Sequence, residues 1–327
     1  MTYGLLTFLF GLMATPIAIR RLRRSGVLDV PNARSSHDRP VVRGAGLGVA
    51  SVAAVTLMLA GRTLNDPHLT VLAAVSASYG LLGLIDDLRD LPVIFRLCTQ
   101  VLIAAIAITG MGAVTNWLLI PIAIVAVVGY LNAFNFMDGI NGISALHASA
   151  VGLIWVVAGH RAGAQEAVVL GAVICGAALA FLPFNFPSAR GFLGDAGSYF
   201  FGGAIGLGAV VLLTPLPMTV VALPMAPYAA DTTWTLVRRV RRGESWREAH
   251  REHVYQRLLD TGLTHGASAC IVALLTLATG AVGLLLQRAD GDPVGTLLMF
   301  GLVATAVAAY LHLPTWLQAR NQTPRQD

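Results

Sequence analysis

Long apolar runs separated by short polar connections dominate this 327-residue chain. A helix needs about 17 to 20 mostly apolar residues to cross a bilayer, and eleven runs approach that length. Their cores lie at residues 2–19, 44–60, 69–85, 97–112, 117–134, 143–158, 167–182, 199–213, 216–236, 267–286 and 294–313. The ninth is the least regular, because Pro215, Pro217, Pro224 and Pro227 interrupt it and Asp231 sits in its later part. Proline removes a backbone donor and clashes with the preceding turn, so a kinked or broken helix is predicted there. The pattern predicts an all-α, polytopic integral membrane protein. One membrane domain spans 1–327, with a polar loop and helix at about 238–266 and no internal repeat.

Composition agrees: 56% of residues are hydrophobic and 12% charged, against roughly 25% charged in a soluble domain. The N-terminus has neither a basic segment ahead of its apolar run nor a small-residue cleavage site, so it reads as a retained first span. Cys98, Cys175 and Cys270 fall inside apolar runs without CxxC spacing and read as buried structural thiols, not as a disulfide or zinc framework. All 22 basic residues are Arg, so phosphate contacts must come from Arg, His, backbone or a metal. A net charge of +5 gives no reason to expect a nucleic acid partner.

The distribution of Arg is more informative than its sum. Arg and Lys accumulate in short cytoplasmic loops. With eleven spans, 19 of the Arg fall on one face and only Arg62, Arg161 and Arg288 on the other. The N-terminus is therefore expected outside and the C-terminus in the cytoplasm. On that topology the unusual polar residues all emerge on the cytoplasmic face. Asp86 and Asp87 close the third span, Asn132, Asn135, Asp138 and Asn141 follow the fifth, Asn185 and Asp195 follow the seventh, and His250 and His253 follow the ninth. A transporter would be expected to carry ionisable groups near mid-membrane and polar features open to both sides. This arrangement describes a one-sided catalytic surface.

Each group has its own chemistry and its plainer reading. In Gly83-Leu-Ile-Asp-Asp-Leu-Arg-Asp90, adjacent carboxylates repel unless they share a cation or proton, though a solvated helix end also fits. In Asn132-Ala-Phe-Asn-Phe-Met-Asp-Gly-Ile-Asn-Gly142, carboxamides and a carboxylate recur at three-residue spacing on one side of a helical turn; an Asn-rich turn is the alternative. In Asn185-Phe-Pro-Ser-Ala-Arg-Gly-Phe-Leu-Gly-Asp-Ala-Gly-Ser198, oxygen ligands suited to Mg²⁺ stand just ahead of a helix start suited to phosphate. Ser245 and Glu248 have capping-box spacing and predict a cytoplasmic helix that places His250, His253 and Arg257 on one face. A zinc site lacks a third ligand there, and a basic helix lying on anionic lipid is the alternative. Arg34, His37, Asp38, Arg39 and Arg43, ahead of Gly44-Ala-Gly-Leu-Gly48, form a candidate lipid-phosphate site or simply follow the topology bias. His147 and Asp231 read as satisfied structural groups.

In this order, the groups resemble the motifs of the polyprenyl-phosphate N-acetylhexosamine-1-phosphate transferases, glycosyltransferase family 4, which include the phospho-MurNAc-pentapeptide transferase. The likeness covers nearly the whole chain: Asp38-Arg39-Pro40 with the Gly-rich start, Asp86-Asp87, Asn132-xx-Asn135-xx-Asp138-Gly139, Asn185 with Phe192-Leu-Gly-Asp195-xx-Ser198, and the His-containing loop. The resemblance implies transfer of a sugar-1-phosphate from a UDP-N-acetylhexosamine to undecaprenyl phosphate with release of UMP. It implies a bacterial inner membrane location and Mg²⁺ as cofactor, with Mn²⁺ as the alternative ion, and leaves a homodimer as the candidate assembly. By the same resemblance Asp195 is a metal ligand together with Asp87 and Asp138. Asp86, Asp87, Asp138, His250 and His253 are the catalytic set, and Phe192 stacks on uracil. Asn132, Asn135, Asn185, Arg39, Arg43, Arg96 and Arg257 contact substrate, Arg96 pairing with Gln100. Three departures stand out: Asn141 replaces the family's second acid, the histidine cluster is thinned to His250-Arg-Glu-His253, and no Lys is present. These look more like the WbpL-like branch, which initiates O-antigen or capsule repeat units. The rival classes are a transporter or flippase of nucleotide- or lipid-linked sugars and an inactive scaffold.

Overall fold

The computed structural model describes residues 1–31, 39–245, 250–288 and 293–322. Helix α1 (Thr2–Arg24) leads through a two-residue antiparallel pair, β1 (Leu28–Asp29) with β2 (Val41–Val42), into α2 (Leu47–Leu64) and α3 (Pro67–Arg89). There follow α4 (Val93–Met111), α5 (Ile120–Met137), α6 (Ile143–Ala162), α7 (Gln165–Asn185) and α8 (Gly194–Leu212). The short α9 (Met218–Ala222), α10 (Ala226–Arg241), the short α11 (Val254–Leu259), α12 (His265–Leu286) and α13 (Pro293–Gln322) complete the chain. Local chemistry sets the ends. Asp66 accepts a hydrogen bond from the Leu69 amide at 3.1 Å ahead of Pro67, an N-cap followed by proline in the first helical position. Gly112 and Gly163 close α4 and α6 in the left-handed conformation.

Among the described residues, ten helices are long and apolar enough to cross a membrane, and the molecule is an all-α, multi-pass membrane protein. At the place of the expected ninth span the path is broken as its prolines predict: α9, one 3-10 turn at Leu223–Met225, then α10. The centre of the bundle is α8, 89% buried, whereas α13 is only 11% buried. The glycine-rich sequence of α8 explains this placement. Side chains on Gly202 or Gly203 would collide with Leu131 of α5 or the Tyr79 ring of α3, so both neighbours pack against bare backbone. His147 is fully buried, stacked on Tyr228 and bonded to Tyr130 and Thr276 at 2.8 Å each, the satisfied structural group its surroundings suggest. The thiols differ from expectation: Cys98 and Cys270 are exposed. An apolar run in a membrane helix has an outward, lipid-facing side, so apolar neighbours in sequence do not imply burial.

Candidate active site

Asp195 lies in the first turn of α8, and two chain segments bring charge to it. Residues 41–46 run beside 191–193, joined by Phe192 N to Val42 O at 2.8 Å, Ala45 N to Phe192 O at 2.9 Å and Gly46 N to Leu193 O at 3.0 Å. This seam delivers Arg43, whose guanidinium meets Asp87 at 2.7 Å and Asp195 at 3.0 Å. Burial works against the Arg43 charge, but the carboxylates of Asp195, Asp87 and Asp29 outweigh it, and its pKa is raised. The second segment is the end of α3. Gly83 makes the approach possible, because a Cβ there would overlap the Asp195 carbonyl. Asp87 then reaches the start of α8 and accepts the backbone N–H groups of Asp195 and Ala196 at 3.0 Å each. It thus caps a helix 108 residues away, where helix N–H groups lack internal partners and the dipole favours negative charge. The backbone turns into α8 at Gly194, which adopts φ +69° beside Gly44 and Asp87, a conformation and a closeness that favour glycine.

The end of α5 closes the other side. Asn135 donates to Asp195 at 2.7 Å and to Ser198 at 2.9 Å. Asn132, one helical turn earlier, donates to Gln100 at 2.7 Å and to the Val128 carbonyl at 2.8 Å. Asp86 is buried and fully engaged: Arg96 donates at 2.6 Å, Tyr199 at 3.0 Å and the Leu91 amide at 2.9 Å. Asp138 stands just beyond α5, partly buried, with its carboxyl pushed up to about 8 by burial; the Asp195 and Asp87 charges reinforce this and the Ser144 hydroxyl opposes it. Asn185 is buried and clips two loops together, accepting from the Gly142 amide at 2.6 Å and donating to the Gly191 carbonyl at 3.1 Å. Phe192 has its backbone pinned by the seam and a partly exposed side chain, and Arg39 is exposed just ahead of β2. Arg34, His37 and Asp38 lie outside the described residues.

The histidine loop departs from the sequence expectation. Glu248 of the proposed capping box lies outside the described residues, and the described helix begins only at Val254. His250 and His253 precede it, so they do not share a helical face with Arg257, which is on α11 and donates to Thr315 of α13 at 3.2 Å. The reason is Asp231, whose carboxylate accepts the Val254 and Tyr255 amides at 3.0 and 3.3 Å and fixes the helix start there. The two imidazoles still meet, 5.0 Å apart, beside Phe136. Burial first, then the charges of His253 and Arg239, push His250 down to about 4. Arg239 and Arg242 of the α10 end hold the loop through Glu252, Arg239 at 2.6 Å.

The family model for glycosyl transferase family 4 matches residues 69–213, which contain Asp86, Asp87, Asn135, Asp138 and Asp195. A Bacillus subtilis protein named a probable undecaprenyl-phosphate N-acetylglucosaminyl 1-phosphate transferase is 26% identical, covering 85% of this chain and 82% of its own length. A decaprenyl-phosphate N-acetylglucosaminephosphotransferase of Mycolicibacterium smegmatis is 29% identical over 89% and 82%. An undecaprenyl-phosphate alpha-N-acetylglucosaminyl 1-phosphate transferase of Yersinia pestis is 24% identical over 96% and 91%. Residues 69–213 are thus similar to glycosyl transferase family 4, and most of the chain's length is similar to polyprenyl-phosphate N-acetylglucosamine-1-phosphate transferases.

Against the family pattern, Asn141 gains a physical meaning. Its carboxamide donates to the Pro187 carbonyl at 3.0 Å, a bond that a carboxylate cannot make, and its amide reaches His265 Nδ1 at 3.4 Å. Sequence reasoning gave no role to Tyr199, Ser198 or His265. The first two were accessible through spacing, since Ser198 and Tyr199 follow Asp195 at i+3 and i+4 and share its helix face. A separate group, Asp66, His68 and Glu166, has ligand-type atoms within 4.8 Å of one another at the opposite end of α3 from Asp86 and Asp87.

Proposed function

We propose that this protein transfers N-acetylhexosamine-1-phosphate from a UDP-sugar to undecaprenyl phosphate, releasing UMP, at the cytoplasmic face of a bacterial inner membrane. The observation that carries the reading is the convergence on Asp195 of groups from three distant segments: Arg43, Asp87 and Asn135. The relatives' names supply the reaction class and make UDP-N-acetylglucosamine the first donor to test. With α9 and α10 together counted as the ninth of eleven crossings, the 19-to-3 distribution of Arg supports this orientation, which an even number of crossings would break.

Bringing a lipid phosphate to a diphosphate concentrates negative charge, and the site answers it with Arg43 and with an all-oxygen donor set. Such donors suit Mg²⁺, or Mn²⁺ in its place. Asp195 and Asp138 are the residues that would hold the ion, which supplies charge neutralisation on the diphosphate when bound. Asp87 fits less well as a ligand, because both its oxygens already accept backbone N–H groups and its side chain is closed to solvent. Its work is to lock the start of α8. Asp86 is likewise engaged by Arg96, Tyr199 and Leu91 and has no free role as a base. None is needed, since a phosphate monoester with a second pKa of about 6 is already mostly dianionic at neutral pH. A phosphate oxygen attacks the sugar-linked phosphorus in line, the bond to UMP breaks, and a lipid diphosphate sugar forms without a covalent enzyme intermediate. Asn135 orients Asp195, while Phe192 and Arg39 stand at the accessible edge for the nucleotide and the lipid phosphate.

The test is UMP release by purified protein from a panel of UDP-N-acetylhexosamines with undecaprenyl phosphate and Mg²⁺, with product mass identifying the sugar. Asp195→Ala should abolish release while the protein stays folded. Full activity in that variant, or substrate movement across vesicles without UMP, would reject the proposal.

A further inference from the structure

We propose that Asp66, His68 and Glu166 form a site for one divalent transition-metal ion of the zinc class, which ties the turn between α2 and α3 to the start of α7. The inference is independent of the transferase reading. His68 and Asp86 stand at opposite ends of α3, about 27 Å apart along its axis at 1.5 Å per residue, so this ion is not the one that Asp195 and Asp138 would hold.

Local structure holds all three side chains. Only Asn65 and Asp66 separate α2 from α3. The turn is this tight because position 61 is glycine: a Cβ there would overlap Thr70 and crowd the Asp66 carbonyl. The Asp66 amide bonds to the Gly61 carbonyl at 2.7 Å, and its Oδ1 caps the Leu69 amide at 3.1 Å, which leaves Oδ2 uncommitted. His68 is the second residue of α3 and Glu166 the second residue of α7, so both project from the first turn of a long helix. Ligands set on helices are held more closely than ligands on loops.

The spacing is that of ligands around an ion. His68 Nδ1 lies 3.3 Å from Glu166 Oε1, and the edge of a tetrahedron with zinc–ligand bonds of about 2.0–2.1 Å is about 3.4 Å. Yet the two atoms make no hydrogen bond: Glu166 Oε1 is closed to solvent and receives no donor. A buried carboxylate oxygen without a donor is rare and calls for an ion or a water. A plain ion pair with His68 does not account for it, because the imidazole N–H is not aimed at that oxygen and a pair at an exposed edge is worth little. Asp66 adds a second carboxylate, and adjacent acids repel unless they share a cation or a proton. Among the described residues no Arg pairs with either acid. One imidazole nitrogen with two carboxylate oxygens is a donor set for Zn²⁺ with water in the fourth position, whereas Mg²⁺ favours the all-oxygen surroundings found near Asp195. The His68 side chain is 39% exposed, which gives the ion its way in.

The experiment uses full-length protein in detergent, stripped with a chelator and titrated with Zn²⁺ in excess Mg²⁺, with bound zinc counted by elemental mass spectrometry after gel filtration. The wild type should hold one more Zn²⁺ per chain than either His68→Ala or Glu166→Gln. The second variant is isosteric, so a folding defect in the first does not decide the matter. A hundredfold excess of Zn²⁺ over its Kd should raise the wild-type unfolding midpoint by roughly 2–5 °C and leave both variants where they were. His68→Cys, which offers a thiolate in place of the imidazole, should restore the ion. Zinc X-ray absorption on the one-equivalent complex should show a single imidazole in a shell of oxygens. Equal zinc content in the wild type and both variants would overturn the proposal, and so would a shell with two imidazoles, which would place the ion at His250 and His253. No UDP-sugar enters the measurement, so its outcome stands whether or not the protein releases UMP.

Discussion

Removing the Asp87 carboxylate should unseat α8 as well as alter the chemistry beside it. In Asp87→Ala, the Asp195 and Ala196 amides lose their acceptor at a closed position, and Arg43 loses one of its two short ion pairs. An unpaired buried N–H costs about 1–3 kcal/mol. Arg43 adds little, because its side chain is 35% exposed and keeps Asp195 as a partner. The loss should therefore be about 2–4 kcal/mol, mostly from the two helix amides, or roughly 3–6 °C in unfolding midpoint for a chain of 327 residues. Asp87→Asn, which keeps one acceptor oxygen, should lose about half as much. The comparison is Asp90→Asn: that side chain is 95% exposed and 4.0 Å from Arg43, Asn tolerates the left-handed φ of +46° at this helix end, and loss of the charge should leave the midpoint unchanged. Tryptophan-fluorescence melting in detergent with a chelator present isolates the effect from any metal. A wild-type midpoint for Asp87→Ala would show that the capping bonds contribute nothing, and Asp87 would return to being a ligand first.

Three further outcomes follow from the same geometry. Asp138 has its carboxyl raised from 3.8 to about 8, so folding favours the protonated form, and metal-free protein should lose stability as pH climbs through that window; Asp138→Asn should flatten the dependence in pH-resolved melting curves. Asn141→Asp sets a carboxylate against the Pro187 carbonyl in place of a donor, and should lower the midpoint by about 1 kcal/mol equivalent and reduce UMP release, although it restores the family's acid. Gly83→Ala forces α3 away from the Asp195 backbone, and should cost about 1–3 kcal/mol and most of the activity, measured by melting and UMP release together.

The apolar runs exposed most of the architecture, because a membrane helix must satisfy its backbone internally and therefore announces itself by length and hydropathy. The acidic site was visible for a related reason: carboxylates and carboxamides at Asp86, Asp87, Asn135, Asp138 and Asp195 are conspicuous beside such helices. What the chain concealed was which of them support the others. Asp87 and Asp86 read alike as surface acids, and only packing reveals that one caps α8 and the other is enclosed by Arg96 and Tyr199. Asp231 read as a residue near a helix end, because its partners Val254, Tyr255 and Tyr310 are 23, 24 and 79 positions away. The same long-range bonds fix the start of the described helix at Val254, beyond the reach of any local capping pattern.

Tyr310 gives the last helix an unexpected reach. Most of α13 faces outward, and it could pass for an expendable anchor, yet its hydroxyl completes the donor set around the Asp231 carboxylate at which α11 begins. A shortened chain ending before Tyr310 would keep every acidic residue of the site and still loosen that short helix. Deletions from the tail therefore reach the start of α11 as well as the bilayer anchor, and a neighbour that leans on α13 from the lipid bears on that start through a single hydroxyl.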